Sequence, residues 1–185
     1  MTPPLRTRRL TLTPYERADE EDFVALLGDE NVSRWMGDGP MPEAAIRALF
    51  DRVFTKVYPR NLFDVWAVRD RRDGRYLGHA EIKHTEVVAG HEIIYALAAH
   101  AWRQGLGTEL AEAVTDYGFA VLGLTEVHAT VAAPNTASLA LLARIGYRHV
   151  RDIVEDDGEL VRVLTRRRQD HGRVPLSPAD APTRS

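Results

Sequence analysis

The 185-residue chain contains no cysteine. Disulfides, thiolate nucleophiles and cysteine-ligated zinc are thereby excluded, and no metal is expected. No apolar run approaches the roughly 20 residues that a membrane-spanning helix requires. Neither sign of charge dominates: 24 Lys and Arg face 27 Asp and Glu, for a formal net charge of −3. That balance argues against a general electrostatic binder of nucleic acid. Met1-Thr2-Pro3-Pro4 runs into an Arg-rich stretch without an apolar signal core, so a cytoplasmic location away from membranes is expected. What is present, 44% hydrophobic and 28% charged residues, is ordinary for a globular protein. The length suits a single domain with a real core, expected over residues 1–168. Residues 169–185 are polar, lack an apolar period and are expected to form a disordered tail. There is no internal repeat.

Periodicity orders the elements. Arg9 to Thr13 alternates as a first strand, ended by Pro14. Asp19 and Glu20 open a helix whose apolar face is Phe23, Val24, Leu26 and Leu27. Val32 to Gly39 reads as irregular, with Trp35 and Met36 in a Gly- and Pro-flanked segment. A second helix after Pro42 carries Ala45, Ile46, Leu49, Phe50, Val53 and Val57 at a 3.6 period. Strands are expected at Leu62–Val68, Tyr76–Lys83 and His91–Ala98. Thr108–Val121 reads as helix, Glu126–Val131 as strand and Ala137–Ile145 as a short helix closed by Gly146. Tyr147–Val154 and Glu159–Thr165 form a hairpin around Asp156-Asp157-Gly158, a turn that could offer acidic charge to a cationic ligand. The order β-α-α-β-β-β-α-β-α-β-β implies an α+β, mixed sheet with helices on both faces.

The segment Trp102-Arg103-Gln104-Gly105-Leu106-Gly107-Thr108 joins a strand to the best amphipathic helix. A helix N-terminus has unpaired N–H groups and the positive end of the macrodipole. Glycines let backbone approach an anion closely, so the segment reads as a phosphate cradle. A nucleoside-triphosphate loop needs Lys then Ser or Thr after its last Gly, and here Thr108-Glu109 follow. A dinucleotide fingerprint needs a third Gly where this chain has Leu110. An acyl-coenzyme-A pyrophosphate loop and a merely Gly-rich helix start are left.

The run Glu92-Ile93-Ile94-Tyr95-Ala96-Leu97, the cradle, Asn135-Thr136-Ala137-Ser138 and Arg144-Ile145-Gly146-Tyr147 together resemble the GNAT superfamily of acetyl-CoA-dependent N-acyltransferases. The branch most similar contains the ribosomal-protein N-terminal alanine acetyltransferases. The resemblance spans about Leu10 to Thr165 and is weak over Asp19 to Val57. It implies a GNAT-like twisted sheet of about seven mostly antiparallel strands, with a splayed parallel pair between the strand ending at Leu97 and Glu126–Val131. Acetyl-CoA would be the co-substrate and an amine or peptide N-terminus the acceptor. Pantetheine would pair with main chain at Leu97 and Ala99. Arg103, Gln104, Gly105, Leu106, Gly107 and Thr108 would hold the pyrophosphate, with Asn135 on pantetheine. Ser138 would give a proton or hydrogen bond to the departing thiolate, and Glu92 would take the amine proton. A Tyr that serves as the acid in many members falls at Leu142 here. Trp35 and Met36 would line the acceptor pocket. The hairpin end is compatible with a homodimer, as in relatives.

Blander roles stand beside these. Asn135 after Pro134 suits a helix cap. Glu92 suits a solvated strand residue or an ion-pair partner, with Glu81, His79 and His84 as weaker bases. Trp35 and Met36 suit a core. An α-amine with pKa near 8 is about 10% neutral at pH 7, so freeing it costs about 1 kcal/mol, against about 4–5 kcal/mol for a lysine amine. Without a compelling base, the lower-pKa amine is favoured. A non-catalytic acyl-CoA-binding domain on the same fold is the rival expectation.

Overall fold

The structure is a computed structural model describing residues 2–37, 39–155 and 158–168. The tail expected at 169–185 and the turn residues Asp156 and Asp157 lie outside the described residues. Eight strands form one sheet: β1 (Leu5–Arg6), β2 (Leu10–Thr13), β3 (Asp64–Asp70), β4 (Tyr76–Thr85), β5 (Gly90–Leu97), β6 (Glu126–Ala132), β7 (Arg148–Val154) and β8 (Leu160–Arg167). Their order is β1-β2-β3-β4-β5-β6-β8-β7. Every pairing is antiparallel except β5 with β6. The strand beyond the seven expected is β1, two residues long and too short for alternation to reveal it.

Helices cover both faces. On one side lie α1 (Glu20–Gly28), α2 (Glu30–Ser33) and α3 (Glu43–Arg52), and on the other α5 (Leu106–Ala120) and α6 (Thr136–Arg144). Between α3 and the three-residue α4 (Tyr58–Arg60), Val53–Val57 widens to a π-helix. Pro59 explains the widening, because its ring has no N–H and would crowd the carbonyl of Thr55 in a regular α-helix. The segment expected to be irregular opens with α2. Asp29 caps it by accepting from the Asn31 N–H, and four residues are too few to show a helical period. Buried Asp19 pairs with Arg69 of β3 and ties the start of α1 to the sheet.

Alternation along the strands sorts two cores. Trp66, Ile82, Ile93, Leu97, Val127 and Ala129 pack under α5 and α6 with Leu110, Val114 and Leu142. Val65, Ala67 and Ala96 point the other way, against Phe23, Leu26, Ile46 and Phe50 of α1 and α3. Main chain comes closest at Gly78 of β4, which registers with Leu97. A Cβ there would collide with the Ala96 carbonyl oxygen and lie 3.0 Å from the Leu97 Cα.

Gly78→Ala is therefore expected to destabilise the protein by about 1–3 kcal/mol. The check is the midpoint of a urea unfolding curve, with its slope unchanged. A wild-type midpoint would contradict the close approach.

Candidate active site

In the segment read as a cradle, two residues lie in left-handed backbone: Arg103 (φ 59°) and Gly105 (φ 73°). Gly105 is the N-cap of α5, so the helix begins two residues before the expected Thr108. The first bond across the cap runs from the Glu109 N–H to the Gly105 carbonyl at 3.3 Å. The N–H groups of Leu106, Gly107 and Thr108 precede that bond and face the helix mouth. The two glycines serve different ends. Gly105 supplies the turn, while a Cβ on Gly107 would lie 3.0 Å from the Leu141 side chain of α6. Gly107 thus admits a neighbouring helix, a role the Gly-x-Gly spacing did not suggest.

The N-terminal hairpin buttresses the loop, a feature missed in the sequence. Arg9 Nη1 donates to the Gln104 carbonyl at 2.7 Å, and Arg9 Nε donates to Glu109 at 2.7 Å. The Arg9 N–H also donates to Glu109 at 2.7 Å, and Thr7 Oγ1 donates at 2.5 Å. Burial raises the Glu109 carboxyl, but the Thr7 and Arg9 hydrogen bonds outweigh it and hold it below the ordinary range. In a trans peptide the N–H points opposite to its carbonyl. Arg9, by holding the Gln104 carbonyl, turns the Gly105 N–H away from itself. The guanidinium sits 3.5 Å from where a Gly105 Cβ would be, so it also adds positive charge at the cradle. The pairing Arg-Leu-x-Leu with Glu109 at a helix start was the available signal.

At the end of β5 the Leu97 carbonyl accepts from Trp102 Nε1 at 2.6 Å, which folds the loop back over the strand. A short 3-10 turn, Ala99–Ala101, carries Ala99 past the sheet edge. β5 and β6 share one registered pair, Glu92 with His128. Beyond it, toward Leu97 and Ala132, they separate. Glu92 is 6% exposed and accepts from Thr130 Oγ1 at 3.0 Å. It shares its face of β5 with Ile94 and Ala96, the face covered by α1 and α3. Ser138 lies on the opposite side. Its N–H donates to the Asn135 side chain at 3.2 Å, and its hydroxyl pairs with the Tyr95 hydroxyl at 2.9 Å. Asn135 thus caps α6, the blander of its two expected roles. Leu142, where the family acid would fall, is fully buried in the α5–α6 core.

The weaker base candidates are otherwise engaged. His79 Nδ1 pairs with the Tyr15 hydroxyl at 2.9 Å, and His79 Nε2 with Glu81 at 3.0 Å. Lys83 Nζ stands 3.3 Å from the other Glu81 oxygen. Burial raises the Glu81 carboxyl, but its contacts with His79 and Lys83 more than reverse that, to about 2. His84 meets His91 edge-on at 5.5 Å beside a cleft of about 260 Å³, at the far end of β5 from Leu97. Met36 packs on the α1–α3 core, while Trp35 is 37% exposed beneath the Arg34 guanidinium. Met36 stands on the Glu92 side of the sheet. Among the described residues no group of three or more His, Asp or Glu side chains could hold a metal ion, and no helix is long and apolar enough to cross a membrane.

A family model described as an acetyltransferase (GNAT) domain matches residues 9–148. A Bacillus subtilis relative, the uncharacterised N-acetyltransferase YoaA, is 30% identical over 153 residues, covering 80% of this chain and 84% of its own. Solved structures share the fold. One is the spermidine N-acetyltransferase from Vibrio cholerae in complex with CoA and spermine, with a TM-score of 0.75 at 19% identity over 87% of this chain and 96% of that one. Another is the ribosomal-protein-S5-alanine acetyltransferase from Vibrio fischeri, with a TM-score of 0.72 at 13% identity over 90% and 97%.

Glu109→Ala frees Arg9 and Thr7 and loosens the loop. Calorimetric titration should then show acetyl-CoA binding weakened by about tenfold. Gly105→Glu, which strains the left-handed cap and adds a negative charge, should weaken binding at least as much. Unchanged affinity in both would contradict the cradle. The depressed Glu81 carboxyl stabilises the fold above its ordinary range near 4.5, and that contribution is lost as pH falls toward about 2. Thermal melts between pH 5 and pH 2.5 should therefore fall more steeply for the wild type than for Glu81→Gln.

Proposed function

The chain belongs to the GNAT acetyltransferase family, the acetyl-CoA-dependent acyltransferases, and we propose that it acetylates a primary amine by direct attack in a ternary complex. The acceptor in this reading is a protein N-terminal α-amine or a small-molecule amine. One observation carries it: Glu92 stands at the last registered pair of β5 and β6, and Ser138 is tied to β5 from the other face of the sheet through Tyr95.

Acyl transfer from a thioester asks for a held donor, a neutral amine, a polarised carbonyl and a stabilised leaving thiolate. The N–H groups at the start of α5, with Arg103 and Arg9 beside them, suit a pyrophosphate. Pantetheine would enter the parting and pair with main chain around Leu97 and Ala99, with the Asn135 side chain as a further contact. One N–H there would polarise the thioester carbonyl. The amine would approach from the α1–α3 face, past Trp35 and Met36. Glu92, buried and hydrogen-bonded to Thr130, would take its proton directly or through one water. Nitrogen then bonds to the acetyl carbon, the carbon–sulfur bond breaks, and the sulfur leaves toward Ser138. The arithmetic of amine pKa favours an α-amine over a lysine side chain.

The test is CoA release from acetyl-CoA with a panel of peptide N-termini, polyamines and aminoglycosides. An α-amine substrate should turn over fastest. Tight acetyl-CoA binding with no turnover of any amine would refute the enzyme reading and favour a binding domain. Ser138→Ala should lower kcat by roughly tenfold or more with little change in the KM for acetyl-CoA. Glu92→Gln should lower kcat/KM for the amine most at low pH, where few amines are neutral, and the gap should narrow as pH rises.

A further inference from the structure

The Ser138 hydroxyl has one hydrogen-bonding partner among the described residues, the Tyr95 hydroxyl at 2.9 Å. Tyr95 stands two residues before Leu97 on β5 and packs against the core beneath α5 and α6. The pair therefore bridges a strand at the parting and the first turn of α6. Burial pushes the Tyr95 phenol up to about 12, with the Ser138 hydrogen bond working against that rise. At neutral pH it is a protonated donor. Either oxygen can donate across the pair, and the phenol, a stronger acid than an alkyl hydroxyl, is the better donor. That arrangement leaves the serine proton free to turn outward.

We propose that Tyr95 is a positioning residue for the departing thiolate: it donates to Ser138 Oγ, so that the Ser138 hydroxyl donates to the sulfur. The inference rests on the acetyl-transfer reading above. It also accounts for Leu142. The side chain in the family's acid position is buried and apolar, and a phenol reaches the leaving group from β5 instead, with a serine between. A hydroxyl chain polarises each link, making Ser138 a better donor than a serine alone. When carbon and sulfur part, the electron pair stays on sulfur. A thiolate whose ordinary pKa is near 8.5 is too weak a base to strip a phenol held near 12. The pair therefore lends hydrogen bonds and keeps its protons. Sulfur gains its proton from solvent, and the one proton lost by nitrogen leaves through Glu92, so the step balances.

The experiment titrates the thiol of CoA bound to the wild type, Tyr95→Phe and Ser138→Ala, following thiolate absorbance against pH. The bound-thiol pKa should rise by about half a unit in Tyr95→Phe and about one unit in Ser138→Ala, as the thiolate loses its donor. In turnover, Tyr95→Phe should lower kcat about fivefold at unchanged KM for acetyl-CoA. The double variant should be no slower than Ser138→Ala alone. 3-Fluorotyrosine at position 95 keeps the shape and strengthens the donor, so it should keep kcat and lower the bound-thiol pKa. It also serves if Tyr95→Phe does not fold. A merely structural role would change stability and leave the thiol titration where it was. An unmoved titration in both Tyr95 replacements, additive losses in the double variant, or a wild type that binds no CoA would overturn the proposal. If the wild type binds CoA and no amine turns over, the acetyl-transfer reading falls, while the titration still decides whether Tyr95 acts through Ser138.

Discussion

Between β5 and β6 the sheet is stitched by a single registered pair, Glu92 with His128, and the rest of the site depends on how that stitch ends. Below it the sheet is tightly made. The His128 ring pairs with Thr165 of β8 at 2.7 Å. Gly90 leaves room for it, since a Cβ there would lie 2.7 Å from the ring. Above it two neighbouring strands diverge and leave main-chain polar groups without a ladder, which a buried sheet does not ordinarily tolerate. Groups of this kind call for other partners, and the Leu97 carbonyl finds one in Trp102 Nε1 at 2.6 Å.

Around that opening the structure spends its rigidity unevenly. The cradle is braced by charge-assisted contacts from the N-terminal hairpin, where Glu109 accepts from Thr7 and Arg9 and Arg9 holds the Gln104 carbonyl. A phosphate cradle works through prepaid backbone orientation, so bracing it from outside lowers the ordering that binding would cost. On the opposite face, Tyr15, Tyr76, His79 and Glu81 form a buried hydrogen-bonded chain beneath α1 and α3, with Lys83 beside the second Glu81 oxygen. That network ties β4 to the segment before α1 on the α1–α3 side of the sheet. It also engages His79 and Glu81, two of the weaker candidates for proton abstraction.

Legibility differed by kind of feature. Long amphipathic stretches such as α3 and α5 stood out, because a 3.6 period repeats several times within them. α2, β1 and the π-helix before Pro59 did not, because each is shorter than one or two periods or is set by a single residue. Asn135 shows a limit of another sort. Its identity fits both a cap and a pantetheine contact, and the structure shows the cap. Gly107 looked like space for an anion, yet its missing Cβ makes way for Leu141. Local pattern registers that a small residue is needed without registering what approaches it.

By itself the sequence pointed to the family, and through it to the class of donor, and it marked a helix start suited to an anion. Left-handed backbone at a helix start, unpaired N–H groups and the absence of Lys or a third Gly are local properties, written within a few adjacent residues. Only the tertiary structure decided which groups meet there. Arg9 reaches Gln104 across 95 positions and Tyr95 reaches Ser138 across 43. Glu92 and Ser138 take opposite faces because strand alternation and helix docking set each direction independently. Those meetings are fixed by packing two cores on one sheet, a constraint that no short window of sequence contains.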